Sequence, residues 1–307
     1  MGQNSLPDEV QKDVTALVTR ALSEDVGSGD VTAKLIAADA TAVGYVVARE
    51  SAVFCGRPWF DEVFRQIDPR VEIAWDVEDG ASIRADGRLC VLRGPARSIL
   101  TGERTGLNFL QTLSGTATVV RRFVERIRGT QARIVDTRKT LPGLRSAQKH
   151  AVTAGGGDNH RFGLYDGILI KENHIVAAGG IKEAIRAARA LNAGVPLMCE
   201  AENLSEVQAA LEERVDLLLL DDFPTHILAK AVNMGRDFRR YNRGDSVLEA
   251  SGGISLNNVR SIADTGVDRI SIGGLTKHVQ AVDLSMRLLA PGAALPDINA
   301  ALRVALR

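Results

Sequence analysis

Six short apolar runs in the second half of the chain close on charged or glycine residues at nearly even spacing. They end at Asp136-Thr137-Arg138-Lys139, Lys171-Glu172-Asn173-His174, Glu200-Ala201-Glu202, Asp221-Asp222, Ser251-Gly252-Gly253 and Ser271-Ile272-Gly273-Gly274. The steps between them, roughly 20 to 33 residues, match one βα unit of a parallel barrel. Such spacing sets the charges on one rim, at the C-terminal ends of parallel strands, where barrel enzymes keep their chemistry. Cations come first, then carboxylates, then glycine pairs, an order that suits an anionic substrate beside a phosphorylated sugar.

The strands are expected at 133–136, 167–171, 196–200, 216–220, 246–250 and 269–272, with room for a seventh. Helices are expected between them at 181–191, 205–214, 225–240 and 256–265, with Asn203, Ser255 and Gly266 where caps or stops belong. Upstream, Val10, Val14, Leu17, Val18 and Leu22 mark one face of a helix over 7–23. Short strands at 42–49, 71–75 and 89–92, with a helix at 58–67, then predict an α+β module with an antiparallel sheet. Pro95 opens a long helix over 96–128 that carries Glu103, Arg104, Asn108, Gln111 and Ser114. The fold class is therefore α/β: an N-terminal α+β sandwich domain over 1–112 and an incomplete TIM-like barrel of six or seven strands over 113–275. The tail at 276–307 reads as helical and is expected to complete the first domain.

With 307 residues the chain has room for this plan, and 45% apolar residues supply its core. Lys and Arg balance Asp and Glu at 38 each, and aromatics are 4%. Zero formal charge and few rings argue against nucleic-acid binding, which uses a basic stripe and base-stacking side chains. Cys55, Cys90 and Cys199 form no C-x-x-C pair and read as buried, reduced thiols of a cytoplasmic protein. Residues 1–20 show no apolar signal segment, and no run nears the roughly 20 residues that span a bilayer.

Chemistry concentrates at the strand ends. Arg138 and Lys139 suit carboxylate or phosphate, the first as a bidentate fork and the second as a point charge. The glycine-rich stretch 153–161 reads as a flexible loop ending in His160-Arg161, and Lys171 and His174 close the next strand. His150, His226 and His278 read as ordinary surface or helix histidines. Glu200 and Asp221 end successive strands; they could hold a magnesium shell, bind sugar hydroxyls or stabilise positive charge at a ribosyl carbon. Ser251-Gly252-Gly253 and Ser271-Ile272-Gly273-Gly274 follow the last two strands, where barrels bind phosphate on backbone N–H groups.

Taken together, E-D-V-G-S-G-D-V-T, E-R-T-G-L-N-F-L-Q-x-L-S-G-T-A-T, D-T-R-K-T-L-P-G-L-R, G-G-G-x-N-H-R, I-K-E-N-H and E-A-S-G-G-I resemble the quinolinate phosphoribosyltransferase (nicotinate-nucleotide pyrophosphorylase) family, over residues 24–286. The resemblance implies an enzyme of NAD biosynthesis. It would join quinolinate to phosphoribosyl pyrophosphate with magnesium, giving nicotinate mononucleotide, pyrophosphate and carbon dioxide. It implies that Arg104, Arg138, His160, Arg161 and Lys171 bind the two quinolinate carboxylates. Thr137 lies in the same basic motif, and Lys139 and Lys171 would lie near the pyrophosphate or ribose. Glu200 and Asp221 would contact ribose hydroxyls and, indirectly, magnesium, while the two glycine loops take the 5′-phosphate. The resemblance also implies a homodimer with shared sites, Arg104 coming from the neighbouring subunit, with higher assembly left open. Where the family has Asp-Asn this chain has Asp221-Asp222. The residues leave three alternatives: a same-fold relative that uses another base or serves molybdate transport, a Schiff-base aldolase with Lys171 as nucleophile, and a non-catalytic phosphosugar-binding protein.

Overall fold

The computed structural model describes residues 8–241, 243–290 and 293–295. In chain order the elements begin with α1 (Asp8–Asp25), a 3-10 turn (Thr32–Leu35), β1 (Thr41–Ala48), β2 (Ala52–Val53), α2 (Arg57–Ile67), β3 (Glu72–Trp75), β4 (Ser82–Ile83) and β5 (Arg88–Pro95). There follow α3 (Ala96–Arg126), β6 (Arg133–Val135), α4 (Arg145–Gly155), β7 (Ile168–Ile170), α5 (Glu172–Ala178), α6 (Ile181–Ala190), β8 (Leu197–Ala201) and α7 (Leu204–Glu212). The last are β9 (Leu217–Asp221), α8 (Thr225–Arg240), β10 (Val247–Ser251), α9 (Val259–Ala263), β11 (Arg269–Ser271), α10 (Gly274–Lys277) and β12 (Leu284–Leu288). They fall into two compact units. One comprises 1–119, 141–156 and 278–307, and the other 120–140 and 157–277.

The first unit is built on an antiparallel sheet ordered β12-β1-β5-β3, with β2 and β4 paired beside it. Its core holds Trp59, Phe60, Val63 and Phe64 from α2 with Leu107, Leu110 and Leu113 from α3. At two points aromatic rings of α2 lie directly against glycines of α3. A Cβ on Gly102 would sit 2.6 Å from the Phe64 ring, and one on Gly106 2.9 Å from Phe60, so those glycines make room for aromatic rings.

Two expectations are corrected in this unit. Past α10 the tail is extended, not helical, as far as it is described: β12 pairs antiparallel with β1, Met286 opposite Val46. Leu284 and Met286 are buried while Arg287 is exposed, the alternation of a half-buried strand. The remainder of the expected helical tail, 291–292 and 296–307, lies outside the described residues, as does residue 7 at the start of the first helix. The flexible loop expected from residue 153 also begins as helix. Helix α4 runs to Gly155, and Gly156 closes it with φ +94°, its N–H donating back to Thr153 O. Ala147 and Ala151 of α4 are buried in the first unit's core, which explains why 141–156 groups there.

The second unit carries a six-stranded sheet in the order β6-β11-β10-β9-β8-β7, with each neighbouring pair parallel. Strands β7 to β11 lie side by side in sequence order, and β6 closes back onto β11, as in a barrel. The ring is incomplete between β6 and β7, where a single parallel bridge joins Val135 to Asp158. The strand ranges agree with the expected runs to within a residue or two, because strands covered on both sides are uninterrupted apolar runs. Leu217, Leu218, Leu219 and Leu220 of β9 are all buried. Asn203 caps α7, its side chain accepting from the Glu206 N–H. Helix α9 is shorter than expected, and α5 was not expected.

Candidate active site

Register decides which side chains share a face. Parallel partners point the same way, and alternate residues along each strand return to that face. Leu169 pairs with Met198, Met198 with Leu217, Glu200 with Leu219, Leu219 with Glu249, and Asp221 with Ser251. Met198, Leu217 and Leu219 cluster, with Leu169 and Val247 packed against them. Further along the same face, toward the strand ends, stand Lys171, Glu200, Asp221, Glu249 and Ser251. The apolar residues thus floor the sheet's inner face and the charges rise toward its C-terminal rim.

Lys171 and Glu200 meet there, Nζ to Oε2 at 2.7 Å, with the lysine side chain 47% exposed and the glutamate 6%. The Lys171 backbone starts α5, and its N–H donates to His174 Nδ1 at 3.1 Å, so the His174 ring serves as a cap. Arg138 and Arg161 lie close enough that burial first, and then the Arg138 charge, push the Arg161 guanidinium below its ordinary range. Two like charges held together mark a place for an anion. Arg161 also donates Nη1–H to Gly167 O at 2.8 Å. His160 is nearly enclosed: its backbone N–H donates to Asp136 Oδ1 and its Nδ1 accepts the Arg161 N–H, both at 2.8 Å.

The glycine loops are held by neighbours. Asp222 N–H donates to Ser251 O at 2.9 Å, and Asn258 Nδ2–H donates to Gly253 O at 3.0 Å. Gly252 and Gly253 have φ +90° and +54°. A Cβ on Gly252 would lie 2.8 Å from Asp222 N, so only glycine fits. Asp222 itself has φ +53° and is exposed, a conformation that asparagine and aspartate tolerate better than most residues. The second loop abuts the basic motif: a Cβ on Gly273 would touch Lys139 Cδ at 2.8 Å. Thr276 Oγ1 donates to Lys139 O at 2.8 Å, and the Lys139 N–H donates to Thr137 Oγ1 at 3.0 Å. Ile272 N–H donates to Val135 O at 3.0 Å, and Ser271 is buried.

Arg104 belongs to the first unit, exposed on α3. His226 and His278 are exposed, as expected. His150 is more than an ordinary helix histidine: its Nε2 lies 2.7 Å from Asp79 Oδ2, in the first unit's fabric. All three cysteines are free and buried, and burial pushes the Cys199 thiol up to about 12. Among the described residues no helix is long and apolar enough to cross a membrane. Oxygen donors for a hard cation such as magnesium are present. Carboxylate oxygens of Glu172, Glu200 and Glu202 lie within 4.8 Å of one another, a donor type that fits such an ion. Sequence reasoning assigns no role to Glu249, the first residue of the E-A-S-G-G-I run, which shares a strand face with Ser251 two residues on.

Comparison with known proteins adds to this geometry. The family model described as quinolinate phosphoribosyl transferase, N-terminal domain, matches residues 13–114, and that for the C-terminal domain matches 116–287. The chain belongs to the quinolinate phosphoribosyltransferase family. Family members similar to it include the nicotinate-nucleotide pyrophosphorylase [carboxylating] of Mycobacterium leprae, 43% identical over 278 residues that cover 88% of this chain and 95% of that protein. A probable enzyme of the same name from Bacillus subtilis is 39% identical, covering 88% and 91%. The solved nicotinate-nucleotide pyrophosphorylase of Francisella tularensis superposes with a TM-score of 0.85 at 41% identity, covering 93% of this chain and 98% of that one. As a quinolinate phosphoribosyltransferase family member, the chain is an enzyme of the phosphoribosyltransferase class.

Proposed function

We propose that this protein transfers the ribosyl phosphate of phosphoribosyl pyrophosphate to the ring nitrogen of quinolinate and releases pyrophosphate and carbon dioxide. The observation that carries the reading is convergence within one unit: the Arg138–Arg161 cation pair, the Lys171–Glu200 ion pair and the Asp221–Ser251 register. Quinolinate is a dianion, and Arg138 and Arg161, with His160 behind them, form the cationic pocket it needs. Each charge-assisted hydrogen bond there is worth about 1.5–3 kcal/mol. Arg104 joins the set from a neighbouring subunit, which makes a dimer the smallest active form. Its exposure on α3 is consistent with that role.

Substitution at the ribose C1 develops positive charge. Glu200 and Asp221 lie where carboxylates stabilise it, and they bind the ribose hydroxyls. Lys171 balances and orients Glu200, and Lys139, lying against Gly273, joins the two glycine loops in holding the donor's phosphates. Glu200 and Asp221 would hold magnesium, and the ion would supply charge neutralisation for the departing pyrophosphate. Ribosylation leaves the ring nitrogen cationic, so the electron pair freed at C2 as carbon dioxide departs is stabilised by the ring itself. The protein's part in that step is to hold the ring and exclude water. Buried reduced thiols fit a cytoplasmic setting. Lys171 is engaged with Glu200 rather than poised as a free amine, which speaks against an aldolase.

The test is release of pyrophosphate and carbon dioxide from quinolinate and phosphoribosyl pyrophosphate, with and without magnesium. Stoichiometric release of both supports the reading. Folded protein that releases neither, or that uses nicotinate in place of quinolinate, overturns it.

A further inference from the structure

Glu249 sits in the middle of β10 with no exposed surface, and neither carboxyl oxygen has a hydrogen-bond partner among the described residues. Buried carboxyl groups without partners are costly and call for a reason. The His160 ring faces it, Nε2 3.7 Å from Glu249 Oε1. His160 Nδ1 accepts the Arg161 N–H, so that nitrogen carries no proton and the ring proton lies on Nε2, toward Glu249. Glu249 thus stands behind the residue that fixes the backbone of Arg161.

We propose that Glu249 is a positioning residue of the acceptor pocket, acting through His160 on Arg161 and supporting dianion binding as the neutral acid. A carboxylate at this point would place a negative charge behind the Arg138–Arg161 pair and oppose the dianion they hold. Its surroundings favour the neutral form near neutrality. Burial pushes Glu249 up to about 7, partly offset by the Ser271 hydroxyl and by Arg269 and reinforced by Asp136. Arg269 on β11 and Asp136, just past β6, are the charged groups among these. Its β9 partner, Leu219, is apolar. The Ser271 hydroxyl makes only a 3.4 Å bond to Ala250 O, leaving it able to turn toward the acid.

The sign follows directly. Below pH 7 Glu249 is neutral and the pocket is competent; above it the competent fraction falls. One unit above that midpoint about one molecule in ten remains competent, so quinolinate affinity falls about tenfold between pH 6 and pH 8. By linkage, binding at pH 8 takes up close to one proton.

The inference rests on the proposed function, and the experiment separates the two. Quinolinate binding is measured by calorimetry at pH 6 and pH 8, in buffers of different ionisation enthalpy, for the parent and for Glu249→Gln. The nearly isosteric amide stays neutral at every pH, and titration of the ligand itself is common to both proteins. The expected result is a roughly tenfold pH dependence and proton uptake in the parent, both absent from Glu249→Gln, with equal affinity at pH 6. Glu249→Ala, should it fold, also loses the pH dependence but binds more weakly throughout, because nothing then backs His160. Proton uptake in Glu249→Gln matching the parent's overturns the inference while leaving the function intact. Failure of the parent to bind quinolinate at all overturns the function instead.

Discussion

Gly252→Ala tests the phosphate loop with a single methyl group. The added Cβ would sit 2.8 Å from Asp222 N and 2.9 Å from Asp222 Cα. Both are backbone atoms, so relief requires the loops after β9 and β10 to part. The residue would also keep φ near +90°, which costs a side-chain-bearing residue roughly 1–2 kcal/mol. Parting the loops loses the Asp222 N–H bond to Ser251 O, worth about 0.5–1.5 kcal/mol. If strain is relieved by moving the loop, a total of about 2–3 kcal/mol appears as weaker binding of the donor phosphate. That is roughly 30- to 150-fold in affinity for phosphoribosyl pyrophosphate, with quinolinate affinity little changed. Calorimetric titration of each substrate measures both. Gly194→Ala is the control: Gly194 also has positive φ, +66°, but its Cβ would meet nothing within 4 Å. It should lower the melting temperature without weakening donor binding. A folded Gly252→Ala protein that binds the donor as tightly as the parent, or loses both ligands equally, would refute the assignment of this loop to the phosphate.

Three further outcomes are expected. Arg138→Ala should weaken quinolinate binding by roughly 10- to 150-fold, the loss of one strong charge-assisted contact, and leave donor binding near the parent's; equal weakening of both ligands in titrations would contradict its role. Mixing Arg104→Ala with Glu200→Ala protein, each inactive alone, should restore part of the activity through hybrid dimers; no recovery after verified subunit exchange would remove the shared site. Asp79→Ala should lower stability by about 1–3 kcal/mol in denaturant titration. Asp79 Oδ1 accepts the N–H groups of Gly56 and Arg57 at the start of α2 while Oδ2 faces His150, and an unchanged unfolding midpoint would show that this junction contributes nothing.

The parallel strands were legible because each is an apolar run ending in a turn or a charge, a pattern that survives without partners. Strand β12 was not, because Leu284-Ser285-Met286-Arg287-Leu288 is a short alternation whose meaning comes only from β1 beside it. Helix α4 was hidden by the glycines that follow it and by its polar residues. Gln148 and Lys149 are fully buried, which no one-dimensional pattern announces. For the candidate site, the charged strand ends point to Arg138, Lys171, Glu200 and Asp221 as candidates, since strand position alone implies a shared rim.

What the amino-acid order determined by itself was the set of chemistries and the rim they occupy: spacing decides which residues end strands, and residue type decides what they can bind. The folded chain decided the pairings. Lys171 with Glu200, Gly252 against Asp222 and Glu249 behind His160 depend on strand register and loop contact, and so does the choice of which acid is buried. Register and burial arise from segments far apart in sequence packing together, and a carboxyl group's protonation depends on that surrounding medium rather than on its neighbours in the chain.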